Sequence, residues 1–125
     1  MIDLPSISAA QIYNTMALVP EMRFLVISHN FDVVKHFTSN IFDYSLRDVD
    51  RVSKSDINRC LTFKNGSRLF VTGFFPEYLL GQRFDIIVTD DTVTPVERRE
   101  ILWPRLAAAA PDKHLKPVGI YRIRE

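Results

Sequence analysis

Two adjacent carboxylates, Asp90 and Asp91, close the apolar run Ile86-Ile87-Val88-Thr89, and they are the residues of this chain best suited to chemistry. Acidic side chains at the end of a buried strand suit Mg²⁺, a hard ion that takes one or two carboxylates and several waters. In open parallel sheets ligands sit beyond the carboxyl ends of the strands. There Ser28-His29-Asn30 and Thr72-Gly73 would converge on the acidic pair. The pair has a plainer use as well, in which one aspartate turns the backbone ahead of Pro95 and the other is solvated. Metal-dependent phosphoester cleavage asks for a third acidic ligand and a nearby Lys or His. Asp85 precedes its strand and belongs at the opposite end, whereas His29 could approach from a parallel neighbour. Cys60 sits among β-prone residues and is expected to pack in the core. With His29, His36 and His114 dispersed and only one cysteine, neither zinc spacing nor an intramolecular disulfide is encoded.

These groups need elements to hold them, and the apolar pattern supplies a sequence of them. Ile7, Ala10, Tyr13, Met16 and Ala17 suggest an amphipathic helix capped by Ser6 or Ser8 and stopped near Val19-Pro20. Arg23 to Ser28 is a continuous β-branched and aromatic run, the signature of a strand buried on both faces. Asn30 then caps a helix with Val33, Val34, Phe37 and Ile41 on one side, ending between Asn40 and Asp43. From Tyr44 to Asp56 no period is visible, so a loop or short edge strand is expected. Asn65-Gly66 between 58–64 and 67–72 is a strong hairpin signal, because both turn residues accept positive φ. A helical turn is expected at Pro76 to Leu80, and a second buried strand at Arg83 to Thr89. Thr94 caps a helix with Pro95 at its first position. Pro104 should divide that helix, which resumes from Leu106 to Ala110, and Val118 to Arg124 reads as a final strand. The order α-β-α-(ββ)-β-α-β predicts a three-layer α/β domain with a mainly parallel central sheet, from which the hairpin projects.

The chain has 125 residues, 46% hydrophobic and 25% charged, which fits one domain over 1–125 with one core. No apolar run approaches the ~18 residues of a membrane span, and no basic-then-apolar leader is present, so a soluble, unexported protein is expected. Charge is nearly balanced, 16 Lys+Arg against 15 Asp+Glu, but residues 97–125 hold 7 basic and 4 acidic side chains. Arg98, Arg99, Arg105, Lys113, Lys116, Arg122 and Arg124 could therefore meet phosphates. Arg98-Arg99 between Glu97 and Glu100 also reads as an ordinary salt-bridged helix surface.

The stretches NGSRLFVTGF and LLGQRFDIIVTDD, followed by EILWPRL and preceded by MRFLVISHNFDVVKHF, resemble the central part of the ATPase core of phage terminase large subunits. The resemblance covers roughly residues 8–124 and implies a RecA-like fold. By it, Asp90 matches the Mg²⁺-holding Walker B aspartate, and Asp91 the catalytic acidic position. Gln82 and Arg83 match the polar and basic pair before that strand, and are grouped with Ser28, His29 and Asn30 as a strand-end site. The resemblance places the helix that follows a P-loop near Met1. No G-x-x-x-x-G-K-[ST] occurs in these residues, and Gly66, Gly73, Gly81 and Gly119 are too dispersed to form one.

Three functions follow as expectations. The first is a non-catalytic terminase-like module that binds a protein partner, either a packaging motor, a host enzyme or another copy of itself. It would act without a cofactor, in the cytoplasm of an infected bacterium and with no membrane contact. The second is an accessory protein that binds nucleic acid through the seven C-terminal basic residues. The third is a Mg²⁺-dependent phosphohydrolase completed in trans.

Overall fold

The computed structural model describes residues 4–44, 49–54, 58–74, 81–106 and 119–124. In chain order the elements are β1 (Ser6–Ile7), α1 (Ala9–Leu18), β2 (Arg23–Ser28), α2 (Phe31–Tyr44), β3 (Val49–Lys54), β4 (Asn58–Phe63), β5 (Arg68–Gly73), β6 (Ile86–Thr89), α3 (Pro95–Glu97) and β7 (Gly119–Ile123). They build one seven-stranded sheet in the order β1-β7-β6-β2-β5-β4-β3. The first five strands of that order run parallel, while β4 and β3 are antiparallel to their neighbours.

The two continuous apolar runs lie side by side at the centre, with Phe24 opposite Ile86 and Val26 opposite Val88. A strand buried on both faces sends alternate residues into two layers. Phe24, Val26, Ile86 and Val88 pack with Ile12 and Met16 of α1 and with Val34 and Ile41 of α2. Leu25, Ile27 and Ile87 pack on the other face with Val93, Leu102 and Ile120. The expected three-layer α/β domain is therefore present, and it is the burial of both faces of β2 and β6 that demands it.

Several local expectations are corrected. The chain's first described element is a strand, since Ser6 and Ile7 pair in parallel with Arg122 and Ile123. α1 accordingly begins at Ala9 and not near Met1. Ser8 caps it with a reciprocal bond to Gln11: Ser8 Oγ accepts the Gln11 N–H at 3.2 Å, and Gln11 Oε1 accepts the Ser8 N–H at 2.8 Å. Its buried residues are Ile12 and Met16, whereas Ala10 and Ala17 face solvent. Of the two expectations for the segment without a period, the edge strand is the one found: it contains β3, exposed except at Val49, which packs on the core.

The hairpin does not project. β5 is inserted beside β2 over six residues, from Arg23 opposite Arg68 to Ser28 opposite Gly73. Its turn docks on the end of α1: Asn65 Nδ2 donates to the Met16 carbonyl at 2.7 Å, and Ser67 Oγ donates to the Val19 carbonyl at 2.8 Å. Carbonyls that end a helix without intrahelical partners are thus satisfied by the turn. Gly66, at φ 90°, holds the backbone conformation that this turn requires, whereas Asn65 does not take the positive φ expected of both turn residues.

Thr94 caps α3 with Pro95 at its first position, as expected. The helix widens into a π turn over Arg98–Leu102 and tightens into a 3-10 turn over Trp103–Arg105, so Pro104 does divide the segment. Leu106 has already left the helix and bridges to Phe84. The expected turn at Pro76 to Leu80 and the helical stretch 107–110 lie outside the described residues.

Candidate functional site

At the carboxyl edge the end of β2 meets the loop that follows β6. Ser28 is buried and its hydroxyl donates to Asp90 Oδ2 at 2.7 Å. Ser28 Oγ also accepts the Asn30 N–H at 3.0 Å and lies 3.1 Å from Thr92 Oγ1. Asp90 Oδ1 accepts the Thr92 N–H at 3.1 Å and also the Thr92 hydroxyl. Thr92 Oγ1 in turn accepts the His29 N–H at 3.1 Å. Asp90 therefore spends both oxygens on closing its own turn and fastening it to β2. Asp91, next to it, is exposed. The plainer use of the pair describes this geometry, with Asp90 turning the backbone and Asp91 in water.

His29 is engaged elsewhere. Its Nε2 lies 3.0 and 2.9 Å from the two carboxylate oxygens of Glu97, and its ring stands 4.4 Å from that of Phe74. Glu97 also closes the α3 cap: its Oε1 accepts the Thr94 N–H at 2.9 Å, while Thr94 Oγ1 accepts the Glu97 N–H at 3.2 Å. These bonds, first the one from the Thr94 backbone and then the one from His29, hold the Glu97 carboxyl below its ordinary value of 4.5. A depressed carboxylate stabilises the fold above its unfolded pKa, and that contribution is lost as pH falls through the folded value. Acidification below about pH 4.5 should thus lower the melting temperature less steeply in Glu97→Gln than in the parent chain, as followed by circular dichroism; equal slopes would show that this carboxylate contributes nothing.

Asp90 and Asp91 share an open cleft of about 510 Å³ with Ser6, Arg122 and Arg124. Arg124 leans back to Gln11 Oε1 at 2.8 Å. Gln82 and Arg83 do not join this strand-end site. Arg83 lies at the amino edge, where the next residue, Phe84, bonds the Arg105 carbonyl, and Gln82 lines a cavity beside Cys60 and Phe70. A residue that precedes a parallel strand necessarily emerges at the edge opposite its end. Asp85 is at that amino edge too, 1% exposed, with Oδ2 accepting the Arg23 N–H at 2.9 Å.

The basic residues do not form one face. Arg105 is at the amino edge, Arg122 and Arg124 are at the carboxyl edge, and Arg98 and Arg99 lie over the α3 layer around Trp103. Arg99 pairs with Glu100 at 3.9 Å. Lys113 and Lys116 lie outside the described residues. Cys60 is half-buried at the rim of a cavity instead of packed in the core, and burial raises its thiol pKa, partly offset by Thr62 and the Arg68 charge.

Thr92 and Glu97 are the site residues that residue typing alone missed, although both spacings were visible. Asp90-x-Thr92 is a turn in which the carboxylate bonds two residues ahead, and Thr94-x-x-Glu97 is a capping box. As for Mg²⁺, no group of three His, Cys, Asp or Glu comes together among the described residues. With Asp90 committed to its turn, the described side chains at this edge do not assemble a set of ligands for the ion.

No protein family matches the chain, and no curated protein matches it. Solved structures do. A point mutant of the large terminase ATPase domain of Thermus phage P74-26 superposes with a TM-score of 0.60 at 11% identity, over 92% of this chain and 52% of that one. The large terminase of a thermophilic bacteriophage gives 0.57 at 13% identity over 92% and 29%, and in its ADP complex 0.56 at 12% over 96% and 32%. This chain thus spans about half, or less, of those it matches. The likeness is one of fold: a terminase-like, RecA-like α/β core.

Proposed function

We propose that this terminase-like module works by binding a protein partner, either a packaging motor subunit, a host enzyme or a second copy, and does not turn over a nucleotide in its own site. The supporting observation is that the three strand-to-helix junctions described at the carboxyl edge are closed by their own side chains. Ser8 and Gln11 cap the junction of β1 and α1, which is one residue long. Asn30 Oδ1 takes the Asp32 N–H at the start of α2, and Thr94 with Glu97 closes the start of α3. Triphosphate binding in such folds relies on a glycine-rich loop whose N–H groups point at the phosphates, with a lysine beside them. None of these junctions offers that arrangement. The carboxyl-edge cleft sets Asp90 and Asp91 against Arg122 and Arg124, and mixed charge of that kind suits a protein surface better than a polyphosphate.

No described helix is long and apolar enough to cross a membrane. The action is proposed to take place inside an infected bacterium, a reading that the likeness to phage proteins supports. Calorimetry with ATP and Mg²⁺ tests the reading, with no micromolar dissociation constant expected. A micromolar constant would overturn it, as would retention of a motor subunit on the immobilised chain only when ATP is present. Retention of an identified motor subunit without nucleotide would support it.

A further inference from the structure

Among the described residues, the face of the sheet that carries α3 is only partly covered. The segment from Val93 to Leu106 packs on Leu25, Ile27, Ile87 and Ile120, and neither β3 nor β4 contributes to that cluster. On the half outside that cluster the registers set Arg23 opposite Arg68, Arg68 opposite Thr62, and Thr62 opposite Arg51. Residues paired across strands share a face, so three arginines and one threonine make a single row over four strands. At ~4.8 Å per strand the row spans roughly 14 Å. The next row is Leu25, Phe70, Cys60 and Ser53. There Phe70 and Phe84, with rings 5.6 Å apart, floor a cavity of about 190 Å³.

Like charges placed directly opposite one another destabilise a sheet, yet Arg23 and Arg68 are register partners. Asp85 relieves Arg23, its Oδ2 lying 4.0 Å from the guanidinium Nε. Arg51 and Arg68 are exposed and make no ion pair among the described residues. Among the described residues their charge is unpaired, and their row lies next to the row of Phe70, which lines an aromatic-floored hollow. An anionic polymer with planar rings matches both features, whereas an acidic peptide matches only the first. We propose that the open face of β3, β4 and β5 binds single-stranded nucleic acid, with Arg51 and Arg68 on its phosphates and a base over Phe70. Open sheets with aromatic floors and basic rims bind single strands in this way, because every base has a π-face. The site is separate from the carboxyl-edge cleft and stands whether or not that cleft binds a protein.

Fluorescence anisotropy with labelled dT and rU 12-mers tests it. Two phosphate contacts predict that affinity falls roughly sevenfold between 50 and 200 mM salt, from a slope of about −0.7 per phosphate on single strands. Arg51→Gln with Arg68→Gln should weaken binding at least tenfold and flatten the salt dependence, and Arg51→Lys with Arg68→Lys should restore most of it. The Gln pair should melt no lower than the parent chain, since it removes repulsion. Tighter binding of either oligonucleotide identifies the nucleic acid and supports the proposal. No saturable binding at 50 mM salt would overturn it. So would equal binding by the Gln pair, equal displacement by polyglutamate of the same length, or a loss of binding in Arg122→Gln with Arg124→Gln instead.

Discussion

Asp90→Ala is expected to lower stability by about 1–3 kcal/mol, the cost of leaving the buried Ser28 hydroxyl without this acceptor. The Ser28 hydroxyl loses its acceptor at 2.7 Å, while the exposed Thr92 N–H and hydroxyl exchange theirs for water. Asp91→Ala, one residue on and exposed, should stay within about 0.5 kcal/mol of the parent, as surface changes do. Denaturant titration of the two variants measures this asymmetry. Equal effects would remove Asp90 from the role of fastening the β6 loop to β2. The same pair answers the question of Mg²⁺, since an ion that binds only the folded state raises its melting temperature by mass action. No rise is expected at millimolar Mg²⁺. A rise that vanishes in Asp90→Asn with Asp91→Asn would restore phosphoester chemistry, in cis or completed by another chain, as the function.

Ser67→Ala should cost about 2–4 kcal/mol, because this hydroxyl serves two buried backbone groups and each orphan costs ~1–3 kcal/mol. Ser67 is fully buried, donates to the Val19 carbonyl at 2.8 Å and accepts the Met22 N–H at 3.1 Å. The loss should appear as a lower denaturation midpoint with unchanged slope. A change below about 0.5 kcal/mol, within the range of ordinary surface substitutions, would mean that the turn only touches α1 and does not anchor it.

The buried strands were legible because burial on both faces leaves an unbroken apolar run, and Arg23–Ser28 and Ile86–Thr89 carry little else. The Asn65-Gly66 turn was legible because its φ demand restricts residue type. What could not be read was where the hairpin goes. Leu69 and Val71 look alike whether they face a neighbouring parallel strand or a partner within a free hairpin. Ser6-Ile7 is too short to show a period, so β1 was hidden inside the expected helix. At the site, the polar groups at the ends of β2 and β6 followed from the parallel arrangement. Their partners did not, because Thr92 and Glu97 act through loop geometry and not through an apolar pattern. The grouping of Gln82 and Arg83 with that edge rested on resemblance; the polarity of the strand sends Arg83 to the other one, while Gln82 lines the cavity beside Asn58, Cys60 and Thr72.

β1 bonds to β7, so that Ser6 meets Arg122, and the pairing is reinforced when Arg122 N–H donates to the Pro5 carbonyl at 2.7 Å and Arg124 N–H to that of Ile7 at 3.0 Å. These contacts join residues separated by nearly the whole chain, so their loop-closure entropy is the largest in the sheet. The β4–β5 hairpin closes over a few residues, and β2 can add to it at intermediate separation. High contact order slows assembly, which makes the β1–β7 seam the last part of the sheet to form. Until it does, β7 presents an open parallel edge, and the nascent protein is most prone to pair with other chains there.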